Sequence, residues 1–351
     1  MTVQPYAIIR DEPIPIETTP DAAPVRQYAR TSTNDLMAIK FEPLKVIVED
    51  YVYEGFTILA GRQKLGKTWL AIDWAVSVAT GGCAMGSIPC KAGDVLYIDL
   101  ENGPRRMQSR IANLFPDQCA RQDLNRLHWM TSAPNQIAAL LEVLDAWRQS
   151  VADPKLVVID VLQRIKPAGN PGRNAYENDY STWAPLQEWA TRHRIAVLGL
   201  HHTRKGGAED PLESLSGSNG LSACADTTIV LDSNQNGKTL YVRGRDVIER
   251  ETAITFLGNQ WTILGEAAEV RRSDERAVIV QTLRDNQEPM TPSELATVLG
   301  KKANNVKQLL FKMAKTVPAE VYRVGNGRYW LEPSPPDNPD NRDNRAEADN
   351  E

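Results

Sequence analysis

The sequence predicts an α/β protein: a mostly parallel sheet with an antiparallel extension, followed by a small C-terminal unit of helices and a hairpin. Three observations carry this. From Phe56 to about Leu264, near-continuous apolar runs alternate with stretches of helical spacing, the pattern of strands buried on both faces. From Asp226 onward the runs are separated only by short turns, one of them Asn236-Gly237, as in an antiparallel meander. From Ser273 to Trp330 the rhythm becomes three helical segments and two short strands, the order of a winged helix-turn-helix.

Residues 1–35 are rich in Pro, Thr, Asp and Ala without sustained periodicity, and predict a flexible arm with one short strand at Tyr6 to Ile9. Phe41 to Tyr53 reads as a lead-in that packs beside the nucleotide. Phe56 to Ala60 is a buried strand, and Trp69 to Thr80 is a helix with few breakers. Asp94 to Leu100 is a strand, and Pro104 to Leu114 a helix opened by proline. Leu127 to Met130 (strand), Gln136 to Gln149 (helix), Lys155 to Asp160 (strand), Thr182 to His193 (helix) and Ile195 to Leu200 (strand) complete the alternation. The extension comprises Asp226 to Leu231, Thr239 to Val242, Ala253 to Leu257 and Trp261 to Leu264. In the C-terminal unit, Asp274 to Arg284 is a helix. Thr291, Pro292 and Glu294 supply N-cap, N1 and N3 of a second helix that Gly300 ends. Ala303 to Lys315 is the third, and Val321 to Val324 and Arg328 to Leu331 flank a Gly-Asn-Gly turn. The predicted division is an arm at 1–35, an α/β domain at 36–268, a winged-helix domain at 272–332 and a disordered acidic tail at 333–351.

The 351 residues suffice for about two domains. The formal net charge of -5 excludes a uniformly basic coat. Charge is uneven, however: 11 basic against seven acidic residues from Arg271 to Glu332, then six acidic against two basic from Pro333 to Glu351. The four cysteines form no C-x-x-C pair, which argues against a disulfide framework or zinc site. No secretory leader and no apolar run near the roughly 18 residues of a membrane span is seen. A cytoplasmic location is expected.

The most specific motif is Gly61, Arg62, Gln63, Lys64, Leu65, Gly66, Lys67 and Thr68, the G-x-x-x-x-G-K-[ST] spacing of a phosphate-binding loop. Its glycines let backbone N–H groups converge on one anion, with the phosphates seated on the N-terminus of the helix that begins around Trp69. ATP is the expected ligand, with the loop and Trp69 around it. Lys67 reaches the β/γ-phosphates, and the Thr68 hydroxyl is placed to hold Mg²⁺. Asp160 closes an apolar strand and is the expected second Mg²⁺ holder; Val161 stands where a glutamate would otherwise follow. The base for water must come from elsewhere, and Glu101 at the preceding strand end is the candidate. Asp99 competes with it, with strand alternation expected to point only one of the two at the nucleotide. His201 and His202, half of the chain's four histidines, end the next strand, where one could hydrogen-bond the γ-phosphate. Two long polar segments, 163–180 with Arg164, Lys166 and Arg173, and 203–222 with Arg204 and Lys205, suit sequence-independent phosphate contact. Arg243 and Arg245 could serve a neighbouring subunit's γ-phosphate or pair at the surface.

Taken together, Gly61 to Thr68, Leu100-Glu101-Asn102-Gly103, Val157 to Asp160, Leu200 to Lys205 and Ser216 to Asn219 resemble the RecA-like ATPases of the RepA/DnaB-type hexameric helicase group. The resemblance is nearest to the RepA-like AAA-family ATPases of plasmids, phages and integrated elements, and covers about residues 40 to 265. It implies a ring, usually a hexamer, with ATP at subunit interfaces and both loops on single-stranded DNA in a central pore. It further implies Glu101 as the residue polarising water, His202 as γ-phosphate sensor, and Arg243 and Arg245 acting in trans, Arg245 being the preferred finger. The chain departs from the minimal helicases by its appended winged helix, whose partner, duplex DNA or protein, stays open. Two readings follow: a ring-forming helicase or translocase of a mobile element, or an ATP-switched initiator or regulator whose Lys301, Lys302, Lys307 and Lys312 address duplex DNA. A filament-forming recombination mediator is a third.

Overall fold

The computed structural model describes residues 30–114, 123–203, 219–234 and 237–333. Contacts divide the chain into two compact units, Met1–Leu44 and Lys45–Glu351. In the first, the described segment holds one short helix, α1 (Thr33–Ala38), capped by Ser32, whose hydroxyl accepts the Asp35 N–H. The strand expected at Tyr6 to Ile9 lies outside the described residues.

The second unit opens with a small antiparallel pair, β1 (Val46–Val48) and β2 (Val52–Tyr53), and then enters the main sheet. In chain order there follow β3 (Gly55–Gly61), α2 (Lys67–Thr80), a minor hairpin of β4 (Cys83–Ala84) and β5 (Ile88–Pro89), β6 (Asp94–Asp99), α3 (Pro104–Leu114), β7 (Leu127–Met130), α4 (Ile137–Ser150), β8 (Pro154–Asp160), α5 (Ala175–His193), β9 (Ala196–His202) and α6 (Asn219–Cys224). Four strands without intervening helices complete it: β10 (Thr227–Asn234), β11 (Gly237–Gly244), β12 (Arg250–Leu257) and β13 (Gln260–Glu266). The nine-stranded order is β13-β12-β11-β10-β3-β9-β8-β6-β7. The segment from β10 to β7 is parallel throughout, and β11 to β13 pair antiparallel. The mostly parallel sheet with an antiparallel extension is therefore as expected.

Alternation of side chains along these strands builds two cores. Leu59, Val95, Tyr97, Val158, Leu198 and Ile229 pack with α2 and α3 on one face. Phe56, Ile58, Leu96, Val157, Val197 and Val230 pack with α4, α5 and α6 on the other. All seven residues of β3 are buried, which accounts for its unbroken apolar reading.

Beyond β13 come α7 (Ala267–Asn286), α8 (Pro292–Leu299), α9 (Ala303–Met313) and the hairpin β14 (Tyr322–Val324) and β15 (Arg328–Trp330). They share their own apolar cluster, with Ile279, Leu283, Leu295, Leu310, Met313 and Val321 almost fully enclosed. The Thr291–Glu294 capping box is present, and Gly300 caps α8 at φ 62°. One boundary differs. The first helix starts at Ala267, not Asp274, so the expected division between 268 and 272 falls inside a continuous helix, which Arg271 ties to Glu251 of β12 by two hydrogen bonds of 3.0 and 2.9 Å. A second difference is that α5 starts at Ala175, so the segment 163–180 is loop only to Asn174. Its first two turns are polar apart from the exposed Tyr176 and Tyr180, but Asn174 and Glu177 form a capping box that starts the helix there.

Candidate nucleotide site

The C-terminal ends of parallel strands are where ligands of such sheets bind. Here that edge presents Gly61, His202 and Asp160 from β3, β9 and β8 in spatial order, with the turn after β6 beyond them. The chain leaves β3 at Gly61 and enters α2 at Lys67. Gly66 sits at φ 105°, and a Cβ there would lie 2.8 Å from Cζ2 of Trp261, so only glycine makes this turn against the indole without strain. The indole N–H of Trp261 also donates to the Gly66 carbonyl at 3.3 Å.

Lys67 is 5% exposed, and its ammonium uses all three protons: 2.7 Å to Gly61 O, 2.9 Å to Arg62 O and 3.1 Å to Nδ1 of His202. Burial lowers its pKa to about 8, against the opposing pull of Asp160 and Glu101. Because an ammonium only donates, Nδ1 of His202 must be the bare nitrogen, and its proton sits on Nε2. That nitrogen lies 3.7 Å from Oε2 of Glu101. Burial, then Lys67, lower the His202 pKa, keeping the ring neutral and this tautomer in place. Lys67, His202 and Glu101 thus form one chain of contacts across the strand ends.

On the other side of the loop, the Thr68 hydroxyl donates to Oδ2 of Asp160 at 2.8 Å, and the Tyr97 hydroxyl donates to the same oxygen at 3.2 Å. Asp160 is 2% exposed. Burial raises its pKa to about 6; the Thr68 hydrogen bond pulls the other way, and the negative charges of Asp99 and Glu101 push it further up. The peptide between Asp160 and Val161 is cis. Thr68 and Asp160 together fit Mg²⁺. They are adjacent hard oxygen donors, the carboxylate is buried, and Lys67, the cation that feels its charge, gives its protons to Gly61 O, Arg62 O and His202 instead. Such an ion would balance that charge and the charge on phosphate oxygens. Among the described residues no cluster of three or more His, Cys, Asp and Glu side chains could hold a metal.

Asp99 requires a correction. Residues two apart on a strand share a face, so alternation does not separate it from Glu101. The end of β6 does. Asp99 is fully buried, and its Oδ1 accepts the backbone N–H groups of Glu101 at 3.1 Å and Asn102 at 2.9 Å. It is committed to shaping the turn that presents the exposed Glu101. Tyr97, two residues back on the same face, is a site residue that this reading omitted. The i−2 spacing from Asp99 was the available signal.

His201 and His202 part company by the same alternation. His201 points to the α5 face, where burial drops its pKa to about 4, with His202, Lys166 and Lys67 lowering it further and Asp179 opposing them. Arg243 and Arg245 are not brought to this site. Arg243 is level with Ile58 through Thr228, three residues short of Gly61. Arg243 pairs with Glu249 at 2.8 Å, and Arg245 with Asp226 at 3.2 Å. Arg62 reaches Asp232 at 3.5 Å. Gln63 and Lys64 are exposed on the loop, and Leu65 and Trp69 are partly buried against the core. Of the second polar segment, 204–218 lie outside the described residues.

A glycine loop entering a helix N-terminus, a buried lysine and an Asp–Thr pair at the ends of parallel strands define a P-loop nucleotide-binding protein on a mostly parallel sheet. The AAA domain family matches residues 21–208, more than half of the chain, and the chain belongs to that family. It is accordingly an ATPase. Among solved structures, the chain is similar to the ATPase domain of another protein, with a TM-score of 0.48 at 16% identity over 60% of this chain and 85% of that one. It is also similar to a DnaB-like replicative helicase described with its interactions with primase, with a TM-score of 0.47 at 17% identity over 59% of this chain and 57% of the other. No curated protein matches. No helix among the described residues is long and apolar enough to cross a membrane.

Proposed function

We propose that the protein is an ATP-dependent, ring-forming DNA helicase or translocase that acts on single-stranded DNA in the replication of a mobile element. The observation that carries the reading is the convergence of Lys67, Thr68, Glu101, Asp160 and His202 at one sheet edge, with the contact chain from Lys67 through His202 to Glu101. In this reading Lys67 leaves the loop carbonyls for phosphate oxygens, Glu101 orients the attacking water, and Thr68 and Asp160 hold Mg²⁺. The N–H of His202 reports the γ-phosphate, and β9 carries that report to the segment that follows it. Arg245, with Arg243 beside it, completes the site of a neighbouring subunit, which suits their distance from the loop of their own chain. Segments 163–180 and 203–222 contact the DNA backbone. The C-terminal helices and hairpin act as a winged helix, with duplex DNA or a protein as partner.

A second reading, an ATP-switched initiator or regulator, draws support from α9 and the residues before it, where Lys302, Lys307 and Lys312 are exposed. ATPase activity with and without single-stranded DNA, measured beside strand displacement, separates the two. The motor reading expects stimulation and unwinding, and loss of both in Lys67→Ala. Slow turnover indifferent to single strands would favour the switch. Normal hydrolysis by Lys67→Ala would overturn the site assignment itself.

A further inference from the structure

Two aromatic rings on the outside of α5 are not explained by the fold. Tyr176 and Tyr180 are 46% and 45% exposed, one helical turn apart, with ring centroids 6.2 Å apart and planes within 16° of parallel. Large apolar rings left in solvent in parallel array are what nucleobases stack upon. Their surroundings point the same way. The chain just before them carries Arg164 and Arg173, both exposed, and among the described residues neither makes an ion pair. The loop is also braced against the tyrosine turns. Asn178 donates from Nδ2 to Asn170 O at 3.1 Å and Arg173 O at 3.0 Å, and accepts the Asn170 N–H at 2.8 Å. Asn174 and Glu177 lock the helix start between them. The opening of α6 abuts the same turns: a Cβ on Gly220 would meet Tyr176 O at 2.3 Å and Tyr180 N at 3.0 Å. The ends of both polar segments therefore meet at this pair.

We propose that Tyr176 and Tyr180 form a stacking platform for unpaired bases of single-stranded DNA, with Arg173 and Arg164 holding the adjoining phosphates. The proposal rests on the single-strand reading above and deepens it. Stacking is tolerant of sequence because every base has a π face, so the platform would bind any single strand and reject paired bases, whose faces are covered.

The test uses the full chain and two fluorescent oligonucleotides of equal length, oligodeoxythymidylate and an abasic strand, titrated by anisotropy at fixed salt. The wild-type chain should prefer the base-bearing strand. Tyr176→Ala and Tyr180→Ala should each weaken that strand by about 5- to 100-fold while leaving the abasic strand nearly unmoved. Tyr176→Phe should keep most of the preference, since the ring is retained. Alanine is the best helix former, so α5 should persist, as circular dichroism would show. A role limited to an i,i+4 helix contact would change melting and leave the ratio of the two affinities constant. Equal binding of both strands by the wild-type chain, or unaltered ratios in the alanine variants, overturns the platform while the single-strand reading survives. Failure of the wild-type chain to bind either strand overturns both.

Discussion

Asp160 holds a carboxylate where the fold alone would not want one. Its pKa stands at about 6 against an ordinary 3.8, a rise of roughly two units, and each unit corresponds to about 1.4 kcal/mol. The sign follows from linkage. A carboxyl whose folded pKa lies above its unfolded value destabilises the ionised native state. That penalty is complete above pH 6 and is relieved as pH falls from 6 toward 3.8. At pH 8 the penalty is therefore roughly 3 kcal/mol. Asp160→Asn removes the charge and keeps one acceptor oxygen for Thr68 and Tyr97, so the nucleotide-free variant should be more stable than wild type by about 1–3 kcal/mol at pH 8. By pH 5 the advantage should fall by roughly half, because the wild-type carboxyl is then mostly protonated in the native state. Urea denaturation at the two pH values, followed by tryptophan fluorescence, measures both. With Mg²⁺ and ATP present the order should reverse, since only the wild-type site gains from binding the cation. A variant less stable than wild type at pH 8, or an advantage that does not shrink toward pH 5, would refute the claim that this carboxylate is held at a cost for a cation.

Three further outcomes are expected. Glu101→Gln should retain ATP binding and lose hydrolysis by about 100-fold or more, read by nucleotide fluorescence titration beside phosphate release. Gly66→Ala forces a Cβ against the Trp261 ring at φ 105°, and should cost about 1–3 kcal/mol in stability and weaken nucleotide binding, read by denaturation and the same titration. Arg245→Ala should bind ATP as wild type yet hydrolyse it poorly. Mixed with the inactive Lys67→Ala chain it should regain turnover, because the Arg245 of one variant then faces the intact Lys67 site of the other, whereas no recovery would deny a role in trans.

The sheet was legible because parallel strands buried on both faces leave unbroken apolar runs, as β3, β6 and β8 do. Elements without an apolar face were harder to read. The first turns of α5 are polar apart from the exposed Tyr176 and Tyr180, so periodicity ended the loop at Tyr180, and only the Asn174–Glu177 pair marks the true start. The hairpin of β4 and β5 has two residues a side, too short to show alternation. The start of α7 hides because Ala267 to Arg272 lacks a stop or start signal against the strand before it.

Legibility of the site divides along a different line. Lys67, Thr68 and Asp160 are fixed by spacing and by a strand's end, features local in sequence. The residues that set their properties are not. Tyr97 and Trp261 act on Asp160 and Gly66 from elements far away in the chain, and no short window contains both partners, whereas Asp99 acts locally on the N–H groups of Glu101 and Asn102. His201 and His202 show the limit most plainly. The pair reads as one motif, yet alternation at the end of β9 gives His202 to Lys67 and Glu101, and His201 to the opposite face beside Asp179 and Lys166. One strand end therefore touches the phosphate side with one ring and the α5 side with the next. A shift of that strand at nucleotide turnover would be felt on both faces without any longer path between them.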